Sequence, residues 1–350
     1  MNNADPILTT ANDPADPGGA PVAAAATAVR TGRRRPWLQS AEAYALPVLL
    51  LVVAIVFTFL PSTSDTFPSS ANLQAIVGNQ SVIGIIALAA LIPLVCNQFD
   101  LSVGATLGLS SILSASVLSS GASIPVAIIV GIGAGGLVGV VNGLLITRAG
   151  VNAVIATLGT AIVIHGIVTW KTNGESIVDI PASMINFGSA NTAGIPRTFF
   201  ALLLVGLLIY YVLEHTPFGR YLYSLGSNPS AARLVGLNTN RLIFQSFIAS
   251  GMLSGCAGVL QVARSGSASP QVGENFTLPA LAAAFLSAAA IRPGRFNVGG
   301  VIIAIFFVAV LNSGLNLAGA ESYVSDFVNG IALIAGVALS AAFGRNRSAA

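Results

Sequence analysis

Charge is scarce in this chain. Only 8% of its 350 residues are charged, against roughly 25% in an ordinary soluble domain, while 54% are hydrophobic and the mean hydropathy is +0.83. That balance excludes a water-soluble globule and points to a polytopic membrane protein built as one integral domain. Lysine occurs once, as Lys171 in TWKTNGES. A phosphate-cradling P-loop needs a Gly-rich turn running into Lys-Ser/Thr at a helix start, so none can be built here, and any ATP that drives the protein is hydrolysed by another polypeptide. The two histidines, His165 and His215, and the two cysteines, Cys96 and Cys256, have no metal-ligand spacing. Both cysteines lie in apolar segments and read as small buried hydrophobes. No G-x-S-x-G elbow or paired-carboxylate loop is present, so the chain is not expected to be an enzyme.

Long apolar runs fill most of the rest. A bilayer core asks for about 20 apolar residues per helix, and the runs at 44–60, 76–96, 102–118, 124–146, 153–171, 198–213, 242–263, 277–290, 298–316 and 323–343 give about ten spans. Those at 102–118 and 277–290 are short and rich in Ser or Ala, and removing both leaves an eight-span alternative. Residues 1–43 read as a disordered cytoplasmic tail ending in Arg30, Arg33, Arg34 and Arg35, 44–343 as the transmembrane domain, and 344–350 as a cytoplasmic C-terminal tail. The first apolar run reaches Pro61 without a small-residue cleavage site, so it is read as a retained span and not as a secretory signal. Cytoplasmic loops gather Arg and Lys. Ten crossings from a cytoplasmic N-terminus leave only Lys171, Arg197 and Arg264 outside, with both termini in the cytoplasm.

Small residues punctuate the spans, with Gly131, Gly135, Gly139 and Gly143 on one and Gly251, Gly255 and Gly258 on another. Such spacings let backbones approach closely, a main source of helix association in lipid. VVNGLLITRAG at 140–150 and VLNSGLNLAG at 310–319 each set an Asn near the end of an apolar helix, an echo that an inverted repeat would leave. Acidic residues near the bilayer interior are few, Asp100 and Asp326 being the ones identified. In NQFDLSVG, Asp100 can cap a helix starting at Leu101, and it can also touch a transported molecule. Neutral polar groups outnumber charges in the spans. Asn97, Asp100, Ser102, Asn142, Asn312 and Asn316 form the candidate translocation pathway, and such groups suit a neutral, hydroxyl-rich cargo, although each can instead serve as interhelical glue.

The most distinctive segment is polar. TPFGRYLYSLGSNPSAARLVG at 216–236 is a basic, turn-rich island between apolar runs. Asn228 is a good N-cap, Pro229 fits the first helical position, and Gly236 can take the left-handed conformation that ends a helix. About two turns cannot repay helix nucleation in water, so a helix carrying Ala231, Ala232 and Arg233 must pack on something, and a docking partner is expected.

These landmarks together resemble the ribose-type, or monosaccharide, permease subunits of bacterial ABC importers, within the branched-chain amino-acid and sugar permease superfamily. The resemblance covers about 72–343 and rests on FDLSVGATLGLSS at 99–111, GVVNGLLITRAGVNAVIATLGT at 139–160, TPFGRYLYSLGSNPSAARLVGL at 216–237 and LNSGLNLAG at 311–319. It implies an all-α, type II importer-like fold in a bacterial inner membrane, surrounded by membrane lipid and without nucleic acid. It also implies a second permease subunit, identical or paralogous, two cytoplasmic ATPase subunits holding ATP and Mg, no cofactor in this chain, and a periplasmic or lipoprotein sugar-binding protein. Asn228 to Gly236 matches the family's ATPase-coupling helix, where Arg233 is expected to make a polar contact. Two departures stand out: Asn97-Gln98-Phe99 where members usually carry Gly-Gly-Ile, and LSAAAIRPGRFNVGG at 286–300, with Arg292 and Arg295, where they carry a Gly-rich loop. A branched-chain amino-acid permease and an independent secondary carrier remain the alternatives.

Overall fold

A computed structural model describes the backbone of residues 36–348 and the side chains of 43–340. The basic cluster Arg30 to Arg35, nearly all of the expected N-terminal tail, and the side chains of Arg345 and Arg347 lie outside the described residues. Helices in chain order are α1 (Pro36–Phe59), α2 (Ser70–Val95), α3 (Val103–Ser119), α4 (Ile124–Thr147), α5 (Ala153–Thr172), α6 (Ala182–Ser189), α7 (Arg197–His215), α8 (Pro217–Ser227), α9 (Pro229–Leu234), α10 (Thr239–Ser265), α11 (Val272–Leu286), α12 (Val298–Leu317) and α13 (Tyr323–Ser348). A short hairpin pairs Asn191–Thr192 with Ile195–Pro196. Helix is present at 36–43, before the first expected span, and at 341–348, beyond most of the last one.

Local chemistry sets six of the thirteen described helix starts. Side chains of Ser69, Asn152, Thr216, Asn228, Asn238 and Asn297 each accept a backbone N–H in the first turn of the helix that follows, satisfying donors that have no carbonyl partner within the helix. α2 is apolar on every side, as a helix surrounded by others must be. Val82, Ile85, Leu88 and Leu91 are fully buried, forming one core with residues of α7, α10, α11 and α12. Peripheral helices expose apolar faces, for example Ile155, Ile162 and Trp170 on α5 and Phe327, Ile331 and Ile334 on α13.

Seven helices, α2, α4, α5, α7, α10, α12 and the Tyr323–Ser340 part of α13, are long and apolar enough to cross a bilayer, and shorter apolar helices lie at Ala43–Phe59 and Val103–Ser119. Together with α11 these ten alternate in direction. α4 and α10 run antiparallel through the two glycine stripes: a Cβ on Gly135 would fall on the Gly251 carbonyl oxygen, and one on Gly139 on that of Phe247. α3 runs parallel to α10, with Ser111 Oγ donating to Gly258 O at 3.0 Å. α4 and α12 point opposite ways, so the two Asn-bearing echoes sit at opposite ends of the bundle, the relation an inverted repeat requires.

α3 and α11, with 17 and 15 residues, span only roughly 26 and 23 Å at 1.5 Å per residue, against about 30 Å of hydrocarbon. Their N-terminal turns overlap inside the bundle, where a Cβ on Gly104 would meet Gly273 and Thr277. The shortness of these two segments is therefore accommodated by protein on their flanks.

Candidate functional site

α9 forms as its sequence requires. Asn228 Oδ1 accepts from Ala231 N at 3.0 Å, Pro229 occupies the first turn, and Gly236 follows at φ +82° with open space around its α-carbon. Only Ala232 is buried among its six residues, packing into the main core. Leu234 and Val235 are 87% and 76% exposed. Arg233 is also exposed, and its Nε donates to Thr239 Oγ1 at 3.4 Å. Held by a single alanine, α9 presents an apolar tip beside an arginine.

α8 anchors α9 to the bundle. Leu222 and Leu225 are buried, and Gly226 rests so closely on α2 that a Cβ there would strike the Val95 carbonyl oxygen. Asn97, in the linker from α2 to α3, adopts φ +59° and donates from Nδ2 to Gly226 O at 2.8 Å. Asn tolerates the left-handed region better than most residues, and its amide here clamps linker to helix. Asn97 is exposed and holds the end of α8.

Three residues further on, Asp100 is 3% exposed. Its Oδ1 accepts from Ser102 N at 3.0 Å and Ser102 Oγ at 2.6 Å, and its Oδ2 accepts from Ser250 Oγ on α10 at 2.8 Å. Asn142 Nδ2 on α4 donates to Ser102 Oγ at 2.9 Å. Asn142 Oδ1 is buried without a partner. Beneath them Leu101 N donates to Thr157 Oγ1 on α5 at 3.1 Å. The helix expected to start at Leu101 starts at Val103, and the Ser102 side chain makes no cap. Asp100 instead bonds the N–H two residues on, because a buried carboxylate is best satisfied by several converging donors, and these come from its own turn and from α10.

The structure thus unites Asp100, Ser102 and Asn142 and separates them from Asn312 and Asn316. Asn312 Nδ2 reaches Asn329 Oδ1 on α13 at 3.4 Å, and Asn316 is exposed in the last turn of α12 at the end of the bundle away from α8. Sequence reasoning missed Ser250 and Thr157. Each is a hydroxyl in an apolar helix, far in sequence from the linker it serves, and nothing local distinguishes it from hydroxyls that only bond back to their own helix.

The departing loop at 286–300 is tied down near α8. Glu214, at the end of α7, pairs with Arg292 and lies 3.6 Å from Arg295, whose guanidinium stacks 3.7 Å over the Tyr223 ring. Tyr223 Oη donates to Phe296 O at 2.8 Å. Burial pushes the Tyr223 phenol above its ordinary value, and the Glu214 hydrogen bond does the same for the Arg292 guanidinium. Asn297 Nδ2 closes the loop by donating to the carbonyls of Ser287, Ala290 and Arg295, each at 3.0 Å. Among the described residues no group of His, Cys, Asp and Glu could hold a metal ion, and both cysteines are free thiols.

Residues 72–337 match the family model of the permease component of branched-chain amino acid transport systems. The ribose import permease protein RbsC of Escherichia coli (strain K12) is 32% identical over 314 residues, covering 88% of this chain and 96% of its own. The protein of the same name from Bacillus subtilis (strain 168) is 34% identical over 293 residues, covering 83% and 90%. The D-allose transport system permease protein AlsC of Escherichia coli (strain K12) is 31% identical, covering 83% and 89%. No solved structure matches significantly. A helical bundle with apolar outer faces and a short exposed helix, matched by one family model over three quarters of its length and by these relatives over most of theirs, belongs to the permease-component family of ATP-binding-cassette transport systems and is a multi-pass inner-membrane protein.

Proposed function

We propose that this chain forms the membrane pathway of an ATP-driven importer for a monosaccharide or related polyol, with the cargo class suggested by relatives named for ribose and D-allose. The observation that carries the mechanism is the short mechanical route from α9 to the buried linker. α9 leads directly back into α8, α8 is clamped at Gly226 by Asn97, and Asn97 lies three residues from Asp100. In this reading an ATPase subunit grips the exposed Leu234, Val235 and Arg233. Its closure on ATP shifts α9 and α8 as a body, the linker follows through Asn97, and the hydrogen bonds from Asp100 to Ser250 and from Asn142 to Ser102 are exchanged as α3 moves against α4 and α10.

Ten crossings put the α8–α9 end in the cytoplasm. Arg148, Arg220, Arg233, Arg241, Arg292 and Arg295 then lie on that side and Lys171, Arg197 and Arg264 on the other, following the usual excess of cytoplasmic positive charge, and both termini are cytoplasmic. The opposite end carries α6 and the 191–196 hairpin, packed on α10 where Gly188 meets Ala263, and offers a surface for a sugar-loaded binding protein. A second permease subunit, identical or paralogous, covers one of the exposed apolar faces.

The test is ATP hydrolysis by the chain reconstituted in lipid with its neighbouring ATPase, comparing wild type with Arg233→Glu and Leu234→Asp, with and without candidate binding proteins and sugars. Stimulation by one sugar-loaded binding protein, reduced about tenfold or more in the variants because an exposed docking contact has been lost, is the expected result. Stimulation only by an amino-acid binding protein redirects the cargo. Transport that survives without any ATPase and collapses with a proton uncoupler makes the chain an independent carrier and overturns the reading.

A further inference from the structure

His165 and Glu274 meet on the wall of a cavity that none of the foregoing uses. Nδ1 of His165, on α5, lies 3.2 Å from Oε1 of Glu274, in the first turn of α11, and the side chains are 50% and 67% exposed. His165 is the thirteenth of twenty residues in α5, roughly 18 Å from one end and 10 Å from the other at 1.5 Å per residue, so the pair sits at hydrocarbon depth. Beside it a cavity of about 290 Å³ opens where the first turns of α3 and α11 overlap, walled by Leu101, Ala105, Ile162, Val168, Gly273 and Thr277.

Ionisable groups half exposed at this depth are costly against acyl chains and persist where they meet water, protein or a polar ligand. Their mutual contact uses one nitrogen and one oxygen. His165 Nε2 and Glu274 Oε2 have no hydrogen bond among the described residues, while Thr277 Oγ1 is already committed to Gly273 O at 3.0 Å. A carboxylate oxygen that accepts and an imidazole nitrogen that donates or accepts, a few ångströms apart above apolar walls, fit adjacent hydroxyl groups on a ring whose C–H faces rest on Leu101 and Ile162. The volume falls at the small end of ligand cavities, suited to one small molecule.

We propose that His165 and Glu274 are a cargo-binding site for a neutral vicinal diol, lining the aqueous pathway at the junction of α3, α5 and α11. This deepens the importer reading and rests on it for the identity of the cargo. The site itself is tested separately, by cysteine accessibility in the complete complex. In a chain carrying Cys96→Ser and Cys256→Ser, a cysteine replacing Glu274 or His165 is expected to react with a charged, membrane-impermeant thiosulfonate, and a cysteine replacing Leu204 on the outer face of α7 is not. In parallel, Glu274→Gln and His165→Leu are assayed with radiolabelled D-ribose and D-allose presented by their binding proteins. Losing one charge-assisted hydrogen bond to the cargo raises KM for transport by about tenfold or more.

If wild type moves neither sugar but the cysteines at 274 and 165 still react, the sugar reading fails and the pathway assignment stands. If wild type moves a sugar while those cysteines react only with a membrane-soluble maleimide, or Glu274→Gln and His165→Leu transport with unchanged KM, the site is overturned and the importer reading survives. Monodisperse elution of each variant complex, equal to wild type, accompanies each result, so that misfolding is not scored as loss of binding.

Discussion

Replacing Asp100 separates its structural work from any dealings with cargo. Three hydrogen bonds end on this carboxylate, from Ser102 N, Ser102 Oγ and Ser250 Oγ, at 2.6 to 3.0 Å in a site 3% exposed. Asp100→Ala removes all three and leaves two hydroxyls and a backbone N–H buried without their acceptor. At about 1 kcal/mol per bond, with the interhelical one valued by measurements inside membranes, the loss is about 3 kcal/mol. That corresponds to a drop of roughly 6 to 12 °C in apparent melting temperature. Asp100→Asn behaves differently. Its carbonyl oxygen can replace Oδ1 and keep both Ser102 bonds, and its amide can donate to Ser250 Oγ, which then accepts, so the cost stays under about 1 kcal/mol. The assay is thermal unfolding of the purified complex in detergent, followed by size-exclusion recovery, alongside transport in proteoliposomes. An alanine variant melting within about 2 °C of wild type would refute the claim that this nest holds α3 to α10. If the Asn variant is stable yet inactive, the negative charge itself serves transport.

Two further perturbations probe the frame around the nest. Gly135→Leu drives a side chain into the Gly251 carbonyl oxygen, whereas Gly133→Leu points into open space; the first should cost about 1 to 3 kcal/mol and the second almost nothing, read as the difference in melting temperature between the two. Asn97→Ala loses the bond to Gly226 O and with it asparagine's better tolerance of the left-handed region at φ +59°, about 2 kcal/mol in all, while Asn97→Gly loses the bond without that strain, about 1 kcal/mol. Both are expected to hydrolyse ATP with less sugar moved per ATP than wild type, and unchanged coupling in either would exclude Asn97 as the link from α8 to the linker.

Much of this was legible in advance because it is local or compositional. Hydropathy over a window of about 20 residues reports the transfer of a whole helix into lipid, and each expected span corresponds to a helix. Asn228, Pro229 and Gly236 specify α9 by cap geometry that needs no distant contact. The glycine stripes marked helices whose backbones could approach closely, although which helix would meet which was not readable from them.

What the tertiary structure alone decided is which polar residues meet. Asn97, Asp100, Asn312 and Asn316 look alike in sequence, as polar residues at the edges of apolar runs, yet one clamps α8, one gathers Ser102 and Ser250, and two sit at the far end of the bundle. A hydrogen bond is satisfied by whichever donor packing brings within 3 Å, and Ser250 lies 150 residues from its acceptor. Glu274 escaped notice because hydropathy began its span at 277, and only the docking of α11 against α3, which itself packs on α5, carries it to His165. The sequence by itself determined that the chain must enter a membrane, which of its segments are apolar helices and how α9 would be capped. The packing of short helices against long ones decided where charge could be kept inside.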